Sequence, residues 1–199
     1  ANAITVDMAF GGSTNTSLHL PAIAKEAGVP LTLEMFNTFS DKTPHLCFMA
    51  PGGPHDLHQL HQAGGIGALM QELSRGGMIH ADALTVTGKT VGENIAKKKV
   101  LDPEVIHPLE TPYHKTGGLT VLFGNLAPQG AVVKSSAVDD AMLKHTGPAR
   151  VFDAEEPAMR AIMEGKIIKG DVIVIRYEGP KGGNPQRIMV GFKKTIQKT

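Results

Sequence analysis

The chain has 199 residues, 41% of them hydrophobic and 20% charged, the composition of a globular protein with one large or two small domains. Twenty Lys and Arg against nineteen Asp and Glu leave a formal charge of +1, so nothing in the balance asks for nucleic acid or an anionic membrane as partner. A single cysteine, Cys47, excludes an intrachain disulfide and any multi-thiolate centre built within the chain, and it suits a reducing, cytoplasmic compartment.

No apolar stretch approaches the ~20 residues that a membrane span requires. The first residues, Ala1-Asn2-Ala3-Ile4-Thr5-Val6-Asp7, lack the basic region and apolar core of a signal peptide and read as the interior of a domain. Residues 4–10 form a short apolar run ended by Gly11-Gly12, and Ser13-Thr14-Asn15 then offer N-cap residues before Leu18, Leu20, Ile23 and Ala24, so the segment reads as strand, turn, helix. Pro21 lacks an amide donor and predicts a late start or a bend in that helix. Gly28 is a good C-cap, a second helix-like segment begins at Leu31, and Thr43-Pro44 marks a turn. After a Pro-Gly loop at 51–54, Ile66, Leu69, Met70 and Leu73 are spaced for one apolar helix face that Gly76-Gly77 stops. Residues 84–90 form a turn leading into a short helix.

Between 101 and 116 come Pro103, Pro108 and Pro112, the composition of an interdomain linker, which places a boundary near residue 110. Beyond it, residues 119–123, 131–134 and 172–177 are β-branched or aromatic runs bounded by glycines, so the second part reads as mainly β. One helix interrupts it: Asp153 with Glu156 is a capping pattern, and Met159, Ile162 and Met163 are its apolar stripe before Gly165.

Five features could carry chemistry. The turn Gly11, Gly12, Ser13, Thr14, Asn15 would place backbone amides and hydroxyls at a helix N-terminus, where a carboxylate or phosphate can sit, or it simply turns the chain and caps the helix. His55, His58 and His61 recur every third residue, which suits a helical metal site poorly and solvated or capping histidines well. Thr87-Gly88-Lys89-Thr90 has the end of a phosphate-binding loop but Ala83 where such a loop needs glycine, which leaves a plain turn. Cys47 lies between Leu46 and Phe48, the setting of a core thiol. Glu178-Gly179-Pro180-Lys181-Gly182-Gly183 follows a strong strand and could close over an anion or form a surface turn.

In this order, these pieces resemble the dihydroxy-acid/phosphogluconate dehydratase family. The resemblance is carried by Asn2-Ala3 with Gly11-Gly12-Ser13-Thr14-Asn15 and 19–29, by Ala63-Gly64-Gly65-Ile66, Thr85-Val86-Thr87-Gly88-Lys89-Thr90 and Glu93-Asn94, by Gly117-Gly118-Leu119, 124–134 and 147–152, and by 176–183. It implies an N-terminal α/β, parallel-sheet domain at 1–109 and the start of a mainly β, barrel-like domain at 110–183, with the active site between them; the basic tail 184–199 departs from the family pattern. The family dehydrates a 2,3-dihydroxy carboxylate to a 2-keto acid. An iron-sulfur cluster on three cysteines serves as Lewis acid, magnesium orients the substrate, and a serine alkoxide acts as base. The Thr-Val-Thr-Gly-Lys-Thr and Tyr-Glu-Gly-Pro-Lys-Gly-Gly forms favour the branch that makes branched-chain amino acids over the sugar-acid branch.

The resemblance further implies that this chain is an interior fragment. The cluster cysteines, the carbamylated lysine and the serine belong to flanking parts of the family chain, and Ile188 stands where a magnesium-binding glutamate is expected. Substrate contacts would come from Gly11, Gly12, Ser13, Thr14, Asn15, Glu178, Lys181, Gly182 and Gly183, with no catalytic or metal ligand supplied here and no cofactor held by this chain alone. A small dihydroxy acid is the expected partner, the family's habit implies a homodimer, and neither nucleic acid nor membrane is expected. A noncatalytic, partner-binding remnant and a piece of a sugar-acid dehydratase are the other readings.

Overall fold

A computed structural model describes residues 1–178 and the backbone of 190–192. It has mixed α and β structure in two compact units, Ala1–Val138 and Asp139–Thr199. The first unit holds α1 (Asn2–Ala9), α2 (Thr16–Glu26), α3 (Leu33–Lys42), α4 (Leu57–Gln62), α5 (Gly65–Arg75) and α6 (Val91–Ile95), followed by β1 (Thr120–Leu122) and β2 (Ala131–Val133). The two strands pair antiparallel with Val121 opposite Val132.

The apolar run expected as the first strand is helix α1. It buries Ile4, Thr5, Met8 and Ala9, the i, i+1, i+4, i+5 spacing of one helical face, which a short run of mixed apolar residues does not separate from a buried strand. Ile4 and Met8 join a core with Phe36, Leu119 and Val121, while Ala9 belongs to a larger one around Leu46, Leu69, Leu73 and Ile106. One helix is therefore a wall of two cores. Residues 1–109 carry isolated bridges but no strand, so the expected N-terminal parallel sheet is not formed within them.

The helix α2 continues through Pro21. In α5 the buried residues are Ala68, Leu69 and Leu73, with Ile66 at the exposed edge of the expected face. Both α4 and α6 open with reciprocal capping boxes, Asp56 with Gln59 and Thr90 with Glu93. The proline-rich stretch does not separate the two compact units. Val105 and Ile106 are core residues, and the amides of His107 and Tyr113 donate to Leu46 O and His45 O. Prolines there shape a strap that is fastened to the first unit.

Asn37 on α3 replaces a missing strand at the edge of β1: its Nδ2 donates to Val121 O (2.9 Å) and its Oδ1 accepts from Val121 N (2.7 Å). Val121 is buried, so Asn37→Leu strands two backbone polar groups and should lower unfolding stability by about 2 kcal/mol. Urea denaturation checks this, and an unchanged midpoint would refute it.

The second unit contains β3 (Ala149–Phe152), α7 (Glu155–Met163), β4 (Val172–Ile175) and β5 (Val190–Phe192). β3 and β4 pair in parallel, Ala149 opposite Val172, and β5 pairs antiparallel to β4. The crossover between the parallel strands is α7, as parallel pairing requires. The expected stripe of α7 is not its buried face. Met159 and Met163 are exposed, Ala158 and Ala161 are buried with Ile167 and Ile173, and Ile162 packs partly against them, since small residues let the helix approach the sheet closely. Asp153 does not cap α7, whose N-cap is Ala154. It accepts from Arg176 Nε at 2.7 Å instead.

Candidate functional site

The turn at 11–15 begins as the C-terminal cap of α1. Gly12 N donates to Asp7 O at 2.8 Å, closing the end of the helix with both glycines at positive φ, +103° and +71°. Both are buried. A Cβ on Gly11 would lie 2.9 Å from His45 Nε2, one on Gly12 2.5 Å from Leu119 Cγ, and one on Gly118 2.1 Å from the Gly11 backbone. Ser136 Oγ, from the 3-10 turn Ser135–Ala137, donates to Gly11 O at 2.7 Å. Two glycine pairs thus cross at backbone contact, an arrangement open only to residues without a side chain.

Ser13, Thr14 and Asn15 are exposed at the start of α2, and the side chain of N-cap Asn15 makes no capping bond. The first amides of α2, Thr16 N and Ser17 N, donate instead to Ser13 O and Thr14 O at 2.9 and 3.3 Å. Asp7 Oδ1 accepts from Thr16 Oγ1 at 3.0 Å, and the Ser13 amide bears on the same carboxyl. A carboxylate of the protein's own therefore lies where the sequence reading puts an external anion. Its second oxygen, Oδ2, is buried without a hydrogen-bond partner. Burial pushes the Asp7 carboxyl up to about 6, against the opposing pull of Thr16, Ser13 and Lys134. The turn thus combines three exposed polar side chains with a carboxyl that changes charge just below neutrality. The signal in the sequence that marks Asp7 is a lone acidic residue inside the apolar run 4–10.

Of the second candidate loop, Glu178 is described, while Lys181, Gly182 and Gly183, with the tail 184–199 apart from the backbone of 190–192, lie outside the described residues. Glu178 Oε1 accepts from Glu155 N (3.3 Å), the first amide of α7. Tyr177 beside it adopts φ +65°, under the Arg176 guanidinium 5.1 Å from its ring centroid. The two loops lie in different compact units.

The remaining candidates are structural or solvent-facing. His55 precedes α4 and its Nε2 lies 3.4 Å from Tyr113 Oη, whereas His58 and His61 are exposed on the helix. The Thr85–Lys89 turn is latched by Asn94, whose Nδ2 reaches Thr85 Oγ1 (2.8 Å) and Thr87 Oγ1 (3.0 Å). Cys47 is buried in the larger core, and burial pushes its thiol up to about 12, so it supplies no thiolate to a cluster. Among the described residues no three His, Cys, Asp or Glu side chains come together to hold a metal, and no helix is long and apolar enough to cross a membrane. These residues do not fit an iron-sulfur or magnesium centre by themselves.

Two family models match in tandem. The dihydroxy-acid/6-phosphogluconate dehydratase N-terminal model covers residues 1–94, and the C-terminal model of the same name covers 104–199. The chain is also similar to curated proteins named dihydroxy-acid dehydratase. It is 61% identical over 190 residues to that of Desulfatibacillum aliphaticivorans, 60% over 189 to that of Caldicellulosiruptor saccharolyticus, and 62% over 190 to that of Desulfosudis oleivorans. These matches take in 95–96% of this chain but 34% of each relative, so the chain spans about a third of their length.

Proposed function

From the premise that the chain belongs to the dihydroxy-acid/6-phosphogluconate dehydratase family, we propose that it forms the middle portion of a dihydroxy-acid dehydratase, a hydro-lyase. The substrate is a 2,3-dihydroxy carboxylate of the 2,3-dihydroxyisovalerate type, and the product is a 2-keto acid on the route to valine and isoleucine. The observation that carries this is the tandem match of both family models together with about 60% identity to relatives of that name.

In this reading the iron-sulfur cluster and magnesium are held by other parts of the relatives' longer chain, because the one thiol here is buried and protonated and no metal-holding group forms among the described residues. This portion supplies framework, with substrate contacts from the turn 11–15 and from the loop 178–183. Ser13, Thr14 and Asn15 are the exposed polar groups of that turn, while Gly11 and Gly12 hold its shape. The working enzyme is a cytoplasmic homodimer.

The test is a segment exchange. Residues 1–183 of this chain replace the matching segment of the Desulfatibacillum aliphaticivorans protein, and the chimera, reconstituted anaerobically with iron, sulfide and magnesium, is assayed for keto acid. Turnover of 2,3-dihydroxyisovalerate within about tenfold of the parent is expected, since a larger loss would mean about 1.4 kcal/mol or more of misplacement. Selective turnover of 6-phosphogluconate would assign the chain to the sugar-acid branch, and a folded chimera that binds its cofactors but turns over neither acid would refute the proposal. In the active chimera, Asn15→Ala should raise KM for the dihydroxy acid several-fold; an unchanged KM would remove this turn from the substrate contacts.

A further inference from the structure

Opposite the face of Gly11 lies a pair of imidazoles that the family reading does not use. His45 is fully buried and His114 is exposed. Their Nδ1 atoms stand 2.8 Å apart with the rings nearly coplanar, 4° between planes, and His45 Nε2 lies 2.7 Å from Cys47 O. A carbonyl only accepts, so Nε2 of His45 carries a proton and its Nδ1 is a lone pair. The proton shared across the pair therefore sits on Nδ1 of His114. The backbone repeats the link, with His45 N donating to His114 O (3.0 Å) and Tyr113 N to His45 O (2.9 Å). The strap 113–118 continues from this bridge to Gly117 N, which donates to Ser40 O, and to Gly118 N, which donates to Met8 O, where Gly118 presses on Gly11.

We propose that the His45–His114 pair is a proton-gated clasp that fastens the 113–118 strap beneath the glycine turn and releases it when both rings are protonated. One added proton leaves a donor and an acceptor across the 2.8 Å contact, because His114 can donate in either charge state. With both rings protonated, two N–H groups and two positive charges face each other. Rotating the buried ring of His45 would move a carbon into each contact and lose the Cys47 bond as well.

Among the described residues no carboxylate compensates. Burial above all holds the His45 ring neutral down to about 4, against the bond to Cys47 O, and the charged groups that bear on it, His114, Lys134 and His107, act in the same direction as burial. The other titratable groups packed there are Tyr113, with its hydroxyl donating to Glu104 O, and Cys47; burial raises the pKa of both, so they stay neutral.

The test reads the strap directly in the intact chain. Nitrogen-15 imidazole shifts at pH 7 should show the proton on Nε2 of His45 and on Nδ1 of His114; the opposite tautomers would overturn the proposal at once. Amide exchange of residues 45, 117 and 118, corrected for intrinsic rate, should then lose protection on acidification by up to tenfold per pH unit, the slope for an opening that takes up one proton. In His114→Asn the side-chain amide still donates to His45 but carries no charge and can turn its oxygen toward a protonated His45, so the slope should become shallower, the remainder being set by burial of His45. A strap whose protection is independent of pH down to 4.5, an equal slope in His114→Asn, or simultaneous loss of protection throughout the first unit would each overturn the clasp.

Discussion

Gly118→Ala should be the most damaging single-methyl substitution in the first unit, lowering unfolding stability by about 3 kcal/mol or more. Gly118 is buried, and its Cβ would stand 2.1 Å from the carbonyl carbon and oxygen of Gly11 and 2.6 Å from its Cα. Those are backbone atoms, so no rotamer change relieves the overlap. The Gly11 carbonyl is held by Ser136, and Gly118 N donates to Met8 O. The methyl must therefore part the strap from the end of α1 and disturb the wall between two cores. Gly124→Ala is the control: a Cβ there meets nothing within 4 Å, and its effect should stay within about 0.5 kcal/mol. Urea midpoints at constant m separate the two. If they shift equally, the crossing of glycine pairs is not what stabilises the turn.

The second large effect is a pair of opposed proton linkages that meet at the same turn. The Asp7 carboxyl is raised from 3.8 to about 6, so its protonated form is favoured by folding. Its contribution is fully present below the unfolded value and is lost as pH rises through about 6. A shift of that size corresponds to about 3 kcal/mol, reduced to about 2 by solvent screening of a partly exposed side chain. The imidazole of His45 is lowered from 6.5 to about 4, so folding favours its neutral form. That contribution is present above 6.5 and is lost as pH falls toward 4, again by a few kcal/mol at most.

Between about pH 4 and 6.5 the two terms run in opposite directions and largely offset each other. Asp7→Asn removes one of them while leaving an oxygen to accept from Ser13 N and Thr16 Oγ1. It should raise stability at pH 7 by about 2 kcal/mol, and stability should then fall by about 2 kcal/mol between pH 7 and pH 4. Chemical denaturation at pH 7, 6, 5 and 4 measures both effects. If the variant keeps the parent's profile, Asp7 does not carry the burial-shifted proton.

Much of the local grammar could be read from the residues. The apolar spacing of Leu69 and Leu73 made α5, Gly76-Gly77 stopped it, and the β-branched runs at 120–122, 131–133 and 172–175 became strands. Thr90 followed by Glu93 started α6. Each of these signals acts over four residues or fewer, the range of a helical turn or a strand alternation. Family membership was legible for the same reason: it rests on short ordered motifs of named residues, and the tandem matches at 1–94 and 104–199 take in nearly all of them.

What the sequence did not decide is what depends on distant partners. Residues 4–10 became a helix because Ile4 and Met8 on one side and Ala9 on the other each found a core to enter. The proline-rich stretch became a fastened strap because His45 and Leu46 offered it hydrogen-bond partners. Candidate cap Asp153 went to Arg176, and Asp7 on α1 took the hydroxyl of Thr16, the first residue of α2. The contacts that shape the candidate turn join residues 69 apart at the histidine pair and 125 apart at Ser136 and Gly11. Periodicity and capping propensity are properties of neighbouring residues and can be read locally, but whether a candidate cap or stripe is used depends, as at Asp153 and Met159, on the partners it meets. Which buried groups are left to face one another, and so which carboxyl is raised and which imidazole is lowered, is set only when packing brings distant segments together and removes their water.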